Sequence, residues 1–351
     1  FLKWLVVASL IGGAGGLIGA IFHHSIEAAE EMRGAHPWLL WLLPLAGLAI
    51  IGFYKMTKTE GLNTNHVIQA VHKGKRLSVL LMPAIFFATV LTQLCGGSAG
   101  REGAALQMGG TIGQWIGRSL HLDDSDLRIA TLAGMAAFFS ALFGTPLAAA
   151  VFAVMVISIG ILYHVALVPC LIASLSAYFL AGALGVQPVR FAVEVPEASA
   201  LTFFQVGFLA ILCALISILF CMMMHGAEKG MRKILPNAWL RVAAGGCIII
   251  ALTYLCGTND YNGVGMDVIT AAIEEGKAEP LAFLLKLVFT SVTLAAGFKG
   301  GEIVPSFFVG AAFGCVIAPL IGLPAGFGAA VGLVSVFCGV TNCPISSIFL
   351  S

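Results

Sequence analysis

Two stretches of the sequence decide the fold: Gly97-Ser-Ala-Gly-Arg-Glu-Gly103 and Gly297-Phe-Lys-Gly-Gly-Glu-Ile303. They match when 97 is aligned with 297, with glycines at corresponding positions and one glutamate in each, Glu102 and Glu302. The alternative explanation is a chance similarity between two glycine-rich apolar stretches. We interpret the match as an internal repeat, in which Glu102 and Glu302 occupy the same repeat position.

A second match follows in each half of the chain. Phe138-Phe-Ser-Ala-Leu-Phe-Gly-Thr-Pro146 resembles Val336-Phe-Cys-Gly-Val-Thr-Asn-Cys-Pro344. Two related halves with glycine-interrupted apolar segments at corresponding positions are typical of transporters whose site lies at the repeat interface. The sequence therefore predicts a first membrane repeat over 1–185 and a second over 186–351.

The composition excludes an ordinary soluble protein. The chain is 59% hydrophobic and 10% charged, with a mean hydropathy of +1.00, whereas soluble domains carry about 25% charged residues. No Lys, Arg, Asp or Glu occurs from Ile129 to Val189, and one span needs only about 20 apolar residues. The net charge of +1 indicates no nucleic-acid surface. We predict a multi-pass integral membrane protein whose partners are the lipid bilayer and ions.

The apolar segments place the predicted spans, with charge concentrated in the connections between them. The first residue is Phe1, and the chain stops at Ser351 inside an apolar segment, so we expect a fragment with its C-terminal end truncated. The segments are 1–22, 38–54, 77–95, 104–117, 129–157, 160–185, 202–224, 238–256, 281–297 and 304–350.

Two of the seventeen acidic residues, Glu102 and Glu302, lie inside long apolar surroundings. An ionisable group there is costly and is by default a functional hypothesis. The alternative is a structural ion pair with Arg101 or Lys299. A helix starting near Glu102 would direct unpaired N–H groups and the positive end of its dipole at one point, which is an anion site. Pro305 suits the first turn of the corresponding second helix.

Specific motifs then carry a resemblance to a known family. Gly100-Arg-Glu-Gly103 is similar to the GREGP motif of the CLC family, with Ala104 in place of the usual proline, and Gly300-Gly-Glu-Ile-Val-Pro305 resembles its GxFxP motif. Gly144-Thr-Pro-Leu-Ala148 also resembles a family segment. The resemblance implies an all-α membrane protein with two inverted-topology repeats of tilted and broken helices, and a homodimer without a cofactor.

By the same resemblance, Glu102 is the gating and proton-transferring glutamate. A carboxylate at a helix N-terminus can occupy the place of the anion when ionised and vacate it when protonated. The residues that the resemblance predicts to bind the anion are Asn63, Arg101, Gly103, Ala104, Glu302, Ile303 and Val304.

Three departures from the chloride members distinguish this chain. Asn63 stands where they have the serine of GSGIP, Met155 or Val156 stands where exchangers have an internal proton-carrying glutamate, and Glu302 replaces an apolar residue. Together they resemble the fluoride/proton antiporter branch, so we expect a fluoride exporter in a bacterial-type plasma membrane. The alternatives are a chloride channel or chloride/proton exchanger of the same fold.

Several residues also have interpretations that involve no role in transport. Without the motif, Asn63 is interpreted as a cap of a helix starting near His66. Lys286 is expected to snorkel or pair, and His23-His24 is interpreted as interfacial rather than as a proton relay. The nine cysteines are interpreted as small buried hydrophobes, without metal-ligand spacing. No clustered nucleophile and base and no HExxH motif appear, which argues against an enzyme.

Overall fold

The computed structural model describes residues 2–73, 75–157 and 163–350. Phe1 and Ser351, the outer ends of the two predicted repeats, lie outside the described residues. So does residue 160, the predicted start of one span. The division of the chain at 185 and 186 stays a prediction.

Within those ranges the protein is mostly helical, and its only sheet-like feature is one isolated backbone bridge. Short 3₁₀ turns precede α2 and α8 and follow α13, and a π-helical turn follows α11. The helices are α1 Leu2–Ala35, α2 Leu43–Met56, α3 Thr64–Lys73, α4 Leu81–Leu94, α5 Glu102–Ser119, α6 Asp124–Phe143, α7 Pro146–Met155, α8 Leu167–Ala183, α9 Ala200–Ile234, α10 Ala238–Cys256, α11 Met266–Thr270, α12 Ala282–Ala296, α13 Ile303–Ile317, α14 Ala325–Thr341 and α15 Pro344–Leu350.

Seven helical segments of the described chain are long and apolar enough to cross a membrane. They contain α1, α2, α6, α8, α9, α10 and α13. The apolar helices α4, α7, α12 and α14 have only 10–17 residues, so each is short for a span of about 20. The predicted all-α, multi-pass membrane fold with broken helices is confirmed.

Burial separates central helices from peripheral ones. The apolar 18-residue stretch of the α6 segment is 83% buried and that of the α13 segment is 78% buried, whereas that of α9 is only 22% buried. Exposed Phe203, Phe204 and Ile211 show how apolar the outer face of α9 is. A strongly apolar helix surface that faces outward is what lipid contact requires. Helices α6 and α13 therefore lie at the centre of the protein, with α9 on the outside.

Two predicted segments, 129–157 and 304–350, are each broken into separate helices. Helix α6 ends at Gly144, whose φ of 68° is left-handed, and Pro146 starts α7. Asn342 ends α14 with a φ of 54° in the same way, and Pro344 starts α15. A left-handed residue satisfies the end of one helix, and proline starts the next because it needs no N–H there. The second sequence match thus marks equivalent breaks.

Glycines bring helix backbones into contact at equivalent places in the two halves. A Cβ added to Gly109 of α5 would collide with the carbonyl oxygen of Gly134 in α6. A Cβ on Gly310 of α13 would likewise collide with the carbonyl oxygen of Gly332 in α14. Small residues at such crossings allow membrane helices to pack closely. The structure therefore supports an internal repeat, with α5–α6 corresponding to α13–α14.

The register of the first match is one residue away from the predicted one. Gly96 after α4 and Gly297 after α12 both have positive φ, 85° and 114°, so 96 corresponds to 297 and 102 to 303. Glu102 is the first residue of α5, but Ile303 is the first residue of α13. Glu302 is the N-cap of α13, and its counterpart is Arg101, the N-cap of α5.

The predicted equivalence of Glu102 and Glu302 is therefore wrong. The adjacent Gly300 and Gly301 can be aligned with Gly100 in two registers, and matching the two glutamates selected the wrong one. The backbone bridge between Gly100 and Gly301 selects the other register.

Candidate anion pathway

The two halves meet through their backbones immediately before α5 and α13. The N–H of Gly100 donates to the carbonyl oxygen of Gly301 (2.7 Å), and the N–H of Gly301 donates to that of Gly100 (2.8 Å). This pair of bonds forms an antiparallel bridge. It holds the N-termini of the two helices at one place inside the protein.

Glu102 fills that place with its carboxylate. The residue is completely buried. The Arg101 backbone N–H donates to its Oε1 (3.1 Å), and the Val304 backbone N–H donates to its Oε2 (3.3 Å). One carboxylate oxygen is thus bound by each half of the protein. Backbone N–H groups at helix N-termini favour negative charge, so this arrangement suits a negatively charged group, and the Glu102 side chain takes that place.

Further N–H groups surround the carboxylate. The N–H groups of the first turn of a helix have no partner within it, which applies to Gly103 and Ala104 in α5 and to Ile303 in α13. Pro305, in the first turn of α13, has no N–H, as expected. A Cβ on Gly103 would lie 2.7 Å from the carbonyl oxygen of Gly300. Glycine is therefore needed at 103 for the two helix starts to approach each other.

A cavity of about 770 Å³, called here the inner cavity, reaches these helix starts. Its lining includes Gly103, Gly301, Glu302 and Ile303, but not Glu102. The Glu302 side chain is exposed to this space rather than buried in apolar packing, and it makes no hydrogen bond to any described residue. The structure thus brings Glu302 beside the predicted anion path, while Glu102 stands behind the end of the cavity.

The alternative of structural ion pairs is not found in the described residues. Neither Glu102 nor Glu302 forms a salt bridge there. Arg101 contacts Glu102 through its backbone, and Lys299 Nζ lies 4.6 Å from the centre of the Tyr54 ring. The two glutamates are therefore available for other roles.

Asn63 both caps a helix and lines the inner cavity. Its Oδ1 accepts from the backbone N–H of His66 (3.3 Å) and lies 2.9 Å from His66 Nδ1, at the start of α3. The capping interpretation is correct for the carboxamide oxygen. The Nδ2 group makes no hydrogen bond to a described residue, and Asn63 is exposed in the cavity. Its two N–H donors therefore stay free for an anion.

The position at which chloride/proton exchangers carry an internal glutamate also lies at the wall of the inner cavity. Helix α7 ends at Met155, and the next residue, Val156, lines the cavity together with Glu302. Val156 carries no group that can transfer a proton. Glu302 is a carboxylate on the same cavity wall.

One contact of the site was missed by the sequence interpretation. His23 is buried in the protein, with 6% of its surface exposed, whereas its neighbour His24 is exposed. Arg101 Nη1 lies 3.0 Å from His23 Nδ1, and His23 Nε2 lies 2.9 Å from Glu27 Oε1. The spacing of His23 and Glu27, one helical turn apart, was the available signal.

Glu27 lines a second cavity of about 560 Å³, called here the outer cavity. Its lining also includes Glu30, Glu31, Asp260 and Asp267. The contacts through His23 therefore connect the Glu102 site with an acidic cavity that is separate from the inner one.

Lys286 pairs with backbone rather than snorkelling. Its buried Nζ donates to the carbonyl oxygens of Tyr261 (3.2 Å) and Gly263 (2.8 Å) and lies 5.0 Å from the centre of the Phe308 ring. These bonds attach the loop after α10 to α12.

In the described part of the chain, no group of three or more His, Cys, Asp or Glu side chains could hold a metal ion.

Comparison with known sequences identifies the family. A family profile described as "Voltage gated chloride channel" matches residues 46–351. The chain belongs to the CLC family. A CLC relative from Pseudomonas syringae pv. tomato, the "Chloride/fluoride channel protein", is 35% identical over 99% of this chain and 79% of its own length. The "H(+)/Cl(-) exchange transporter ClcA" of Cronobacter sakazakii is 26% identical over 99% of this chain and 80% of its own.

Solved CLC structures agree with this assignment. The crystal structure of a CLC-type fluoride/proton antiporter superposes with a TM-score of 0.94 and 30% identity, covering 99% of this chain and 89% of the other. A slow cyanobacterial Cl⁻/H⁺ antiporter gives a TM-score of 0.78 with 19% identity, covering 99% and 94%. The second likeness shows the shared fold. As a CLC protein the chain is a membrane ion transporter or channel, not an enzyme.

Proposed function

We propose that this CLC protein is a fluoride/proton antiporter that exports fluoride, with Glu102 as both the gate and the proton carrier. The observation that supports it most is the Glu102 carboxylate, held by an N–H from each half of the protein where two helices begin. A transported anion needs the same donors that this carboxylate uses. We also propose a homodimer with one pathway per subunit, as the family resemblance implies.

Exchange follows from competition for these donors. The ionised carboxylate accepts from Arg101 and Val304 and excludes an anion. Once protonated, it is a weaker acceptor, since hydrogen bonds to ionised groups are roughly twice as strong as neutral ones. The side chain can then leave, and an anion takes over the N–H groups. Each cycle moves the proton on Glu102 and the anion in opposite directions.

Three observations favour fluoride over chloride. Asn63 presents free N–H donors to the inner cavity, and Glu302 adds a carboxylate where Val156 supplies none. The solved structure at 30% identity is titled a fluoride/proton antiporter, whereas the name of the relative at 35% identity, a chloride/fluoride channel protein, covers both ions. Fluoride is small and strongly hydrated, so a dry site must replace strong hydrogen bonds with comparable ones.

The test uses purified protein in liposomes loaded with equal fluoride and chloride, with ion-selective electrodes and a proton indicator. We expect the wild type to release mainly fluoride and to move protons in the opposite direction, including uphill when a fluoride gradient drives them. Glu102→Gln, which cannot ionise, should lose coupled proton movement, while Glu31→Gln in the outer cavity should keep it. Uphill proton transport by Glu102→Gln would remove Glu102 from this role.

The second candidate is a chloride channel or chloride/proton exchanger, favoured by the 26% identity to the ClcA transporter. Equal or preferential chloride release by the wild type would support it against fluoride export. Anion release without any coupled proton movement would support a channel instead of an antiporter.

A further inference from the structure

The guanidinium of Arg101 has one side-chain partner in the described structure. Arg101 is 6% exposed, its Nε has no hydrogen bond, and Nη1 lies 3.0 Å from His23 Nδ1. The backbone N–H of the same residue donates to Glu102 Oε1. The position of this buried cation therefore depends on His23, which is on α1, a different helix.

The contacts of His23 determine which ring nitrogen carries the proton. A guanidinium can only donate and a carboxylate can only accept. His23 Nδ1 faces Arg101 and His23 Nε2 faces Glu27 Oε1 at 2.9 Å, so the ring accepts at Nδ1 and donates from Nε2. Glu27 fixes this tautomer, and the tautomer presents the one acceptor that the described residues offer to the guanidinium of Arg101.

We propose that His23 is a positioning residue of the anion site, oriented by Glu27 of the outer cavity. By holding the guanidinium of Arg101 beside the first turn of α5, it maintains positive potential where the anion replaces the Glu102 carboxylate. The inference rests on the proposed function only in taking that carboxylate position as the anion site. It holds for fluoride and for chloride alike.

The test compares two variants of His23, each with a side-chain amide that replaces one of the two ring nitrogens. His23→Asn can keep an acceptor near the Nδ1 position for Arg101 but cannot reach Glu27, and His23→Gln can reach Glu27 but offers no acceptor at the Nδ1 position. His24→Gln is the matched control, because His24 also contacts Glu27 (3.2 Å) but does not contact Arg101. Transport rates in liposomes are measured against the concentration of whichever anion the wild type moves.

We expect His23→Gln to raise the half-saturating anion concentration about tenfold, as for one lost charge-assisted hydrogen bond, with less than about a twofold change in maximum rate. His23→Asn should restore most of the affinity, and His24→Gln should match the wild type. Equal affinities for His23→Asn and His23→Gln, or a wild-type affinity in His23→Gln, would overturn the proposal.

A second variant decides the matter if His23→Gln does not fold. Glu27 is half exposed, so Glu27→Ala should be tolerated. It removes the acceptor that fixes the tautomer. We expect the half-saturating anion concentration to rise about threefold, which is less than the effect of losing a hydrogen bond to a charged group completely. An unchanged half-saturation would then overturn the proposal. If the wild type moves only chloride, the proposed fluoride function fails while this comparison of variants still applies.

Discussion

The N-terminus of α5 and the N-terminus of α13 are built from equivalent backbone but carry opposite side-chain arrangements. In α5 the N-cap is the buried cation Arg101 and the first helical residue is the buried Glu102. In α13 the N-cap is Glu302, exposed in the inner cavity, and the first helical residue is the buried, apolar Ile303. The two N-caps have nearly the same backbone angles, with φ of −114° and −107°.

Because their side chains differ, the two termini contribute different groups to one site. Only the α5 terminus places a carboxylate among the converging N–H groups, and the α13 terminus contributes the N–H of Val304 to it. A second carboxylate at position 303 would compete for the same donors and repel the first. The glutamate of the second half is Glu302, one residue before position 303, and its side chain lies in the inner cavity instead. We infer that the equivalent backbones build the proposed anion site and that the different side chains leave a single carboxylate in it.

Breaking the junction between the two termini should have the largest effect. A Cβ on Gly301 would lie 2.5 Å from Glu102 Oε2 and 2.7 Å from the backbone nitrogen of Gly103. Since backbone of α5 must then shift, we expect Gly301→Ala to reduce anion transport about a hundredfold, as for reacting groups misplaced by ~1 Å. The measurement is anion efflux from liposomes at equal protein content.

Gly182→Ala is the control for that substitution. Gly182 lies in α8, and a Cβ there would meet nothing within 4 Å. We expect wild-type efflux and unchanged or slightly higher thermal stability, since alanine is favoured over glycine within a helix. Efflux by Gly301→Ala equal to that of Gly182→Ala would show that the Gly100–Gly301 junction tolerates displacement.

This comparison also shows what the sequence could predict. Hydropathy predicted a multi-pass membrane protein, and the glycine-rich stretch around Glu102 predicted a helix beginning near that glutamate, because these depend on local composition and spacing. The all-α fold with broken helices was predicted from the resemblance to the CLC family. The bounds of α10, 238–256, were predicted without error. Helices α1 and α9 continue beyond their apolar segments to Ala35 and Ile234, because a membrane helix can extend into water where charged residues are tolerated.

The remaining features depend on contacts between distant parts of the chain. The register of the repeat is set by hydrogen bonds between Gly100 and Gly301, which residue identities alone did not determine. The role proposed for His23 depends on a residue 78 positions away, Arg101. The capping by Asn63 was local and was recognised as an alternative, but its exposure in the inner cavity required the folded structure.

Removing the charge at the α13 terminus should have an intermediate effect. We expect Glu302→Gln to reduce coupled proton flux about tenfold, below the range for a full proton-transfer group, because water in the cavity can partly replace it. Anion flux should fall by less, since the N–H donors at the helix starts remain. Both fluxes are recorded in the same liposomes.

Glu60→Gln supplies the comparison for Glu302, because Glu60 also lines the inner cavity and forms no ion pair with a described residue. It should retain wild-type proton flux. Wild-type fluoride and proton fluxes in Glu302→Gln would assign Glu302 a structural role only, and the asymmetry of the two termini would then lie in Glu102 alone.

The smallest effect is expected at Asn63, which belongs to neither terminus but faces the same cavity. Asn63→Ser keeps an oxygen that can cap α3, because serine is also a favourable N-cap. It offers one donor in place of two. Loss of about 1 kcal/mol from one hydrogen bond corresponds to about a fivefold lower preference for fluoride over chloride. Efflux from liposomes with equal fluoride and chloride measures this ratio, and the thermal stability of the variant checks that the cap is retained. A fluoride preference unchanged in a stable Asn63→Ser would assign selectivity to the two helix starts, whereas equal efflux of both ions by the wild type would contradict fluoride selectivity itself.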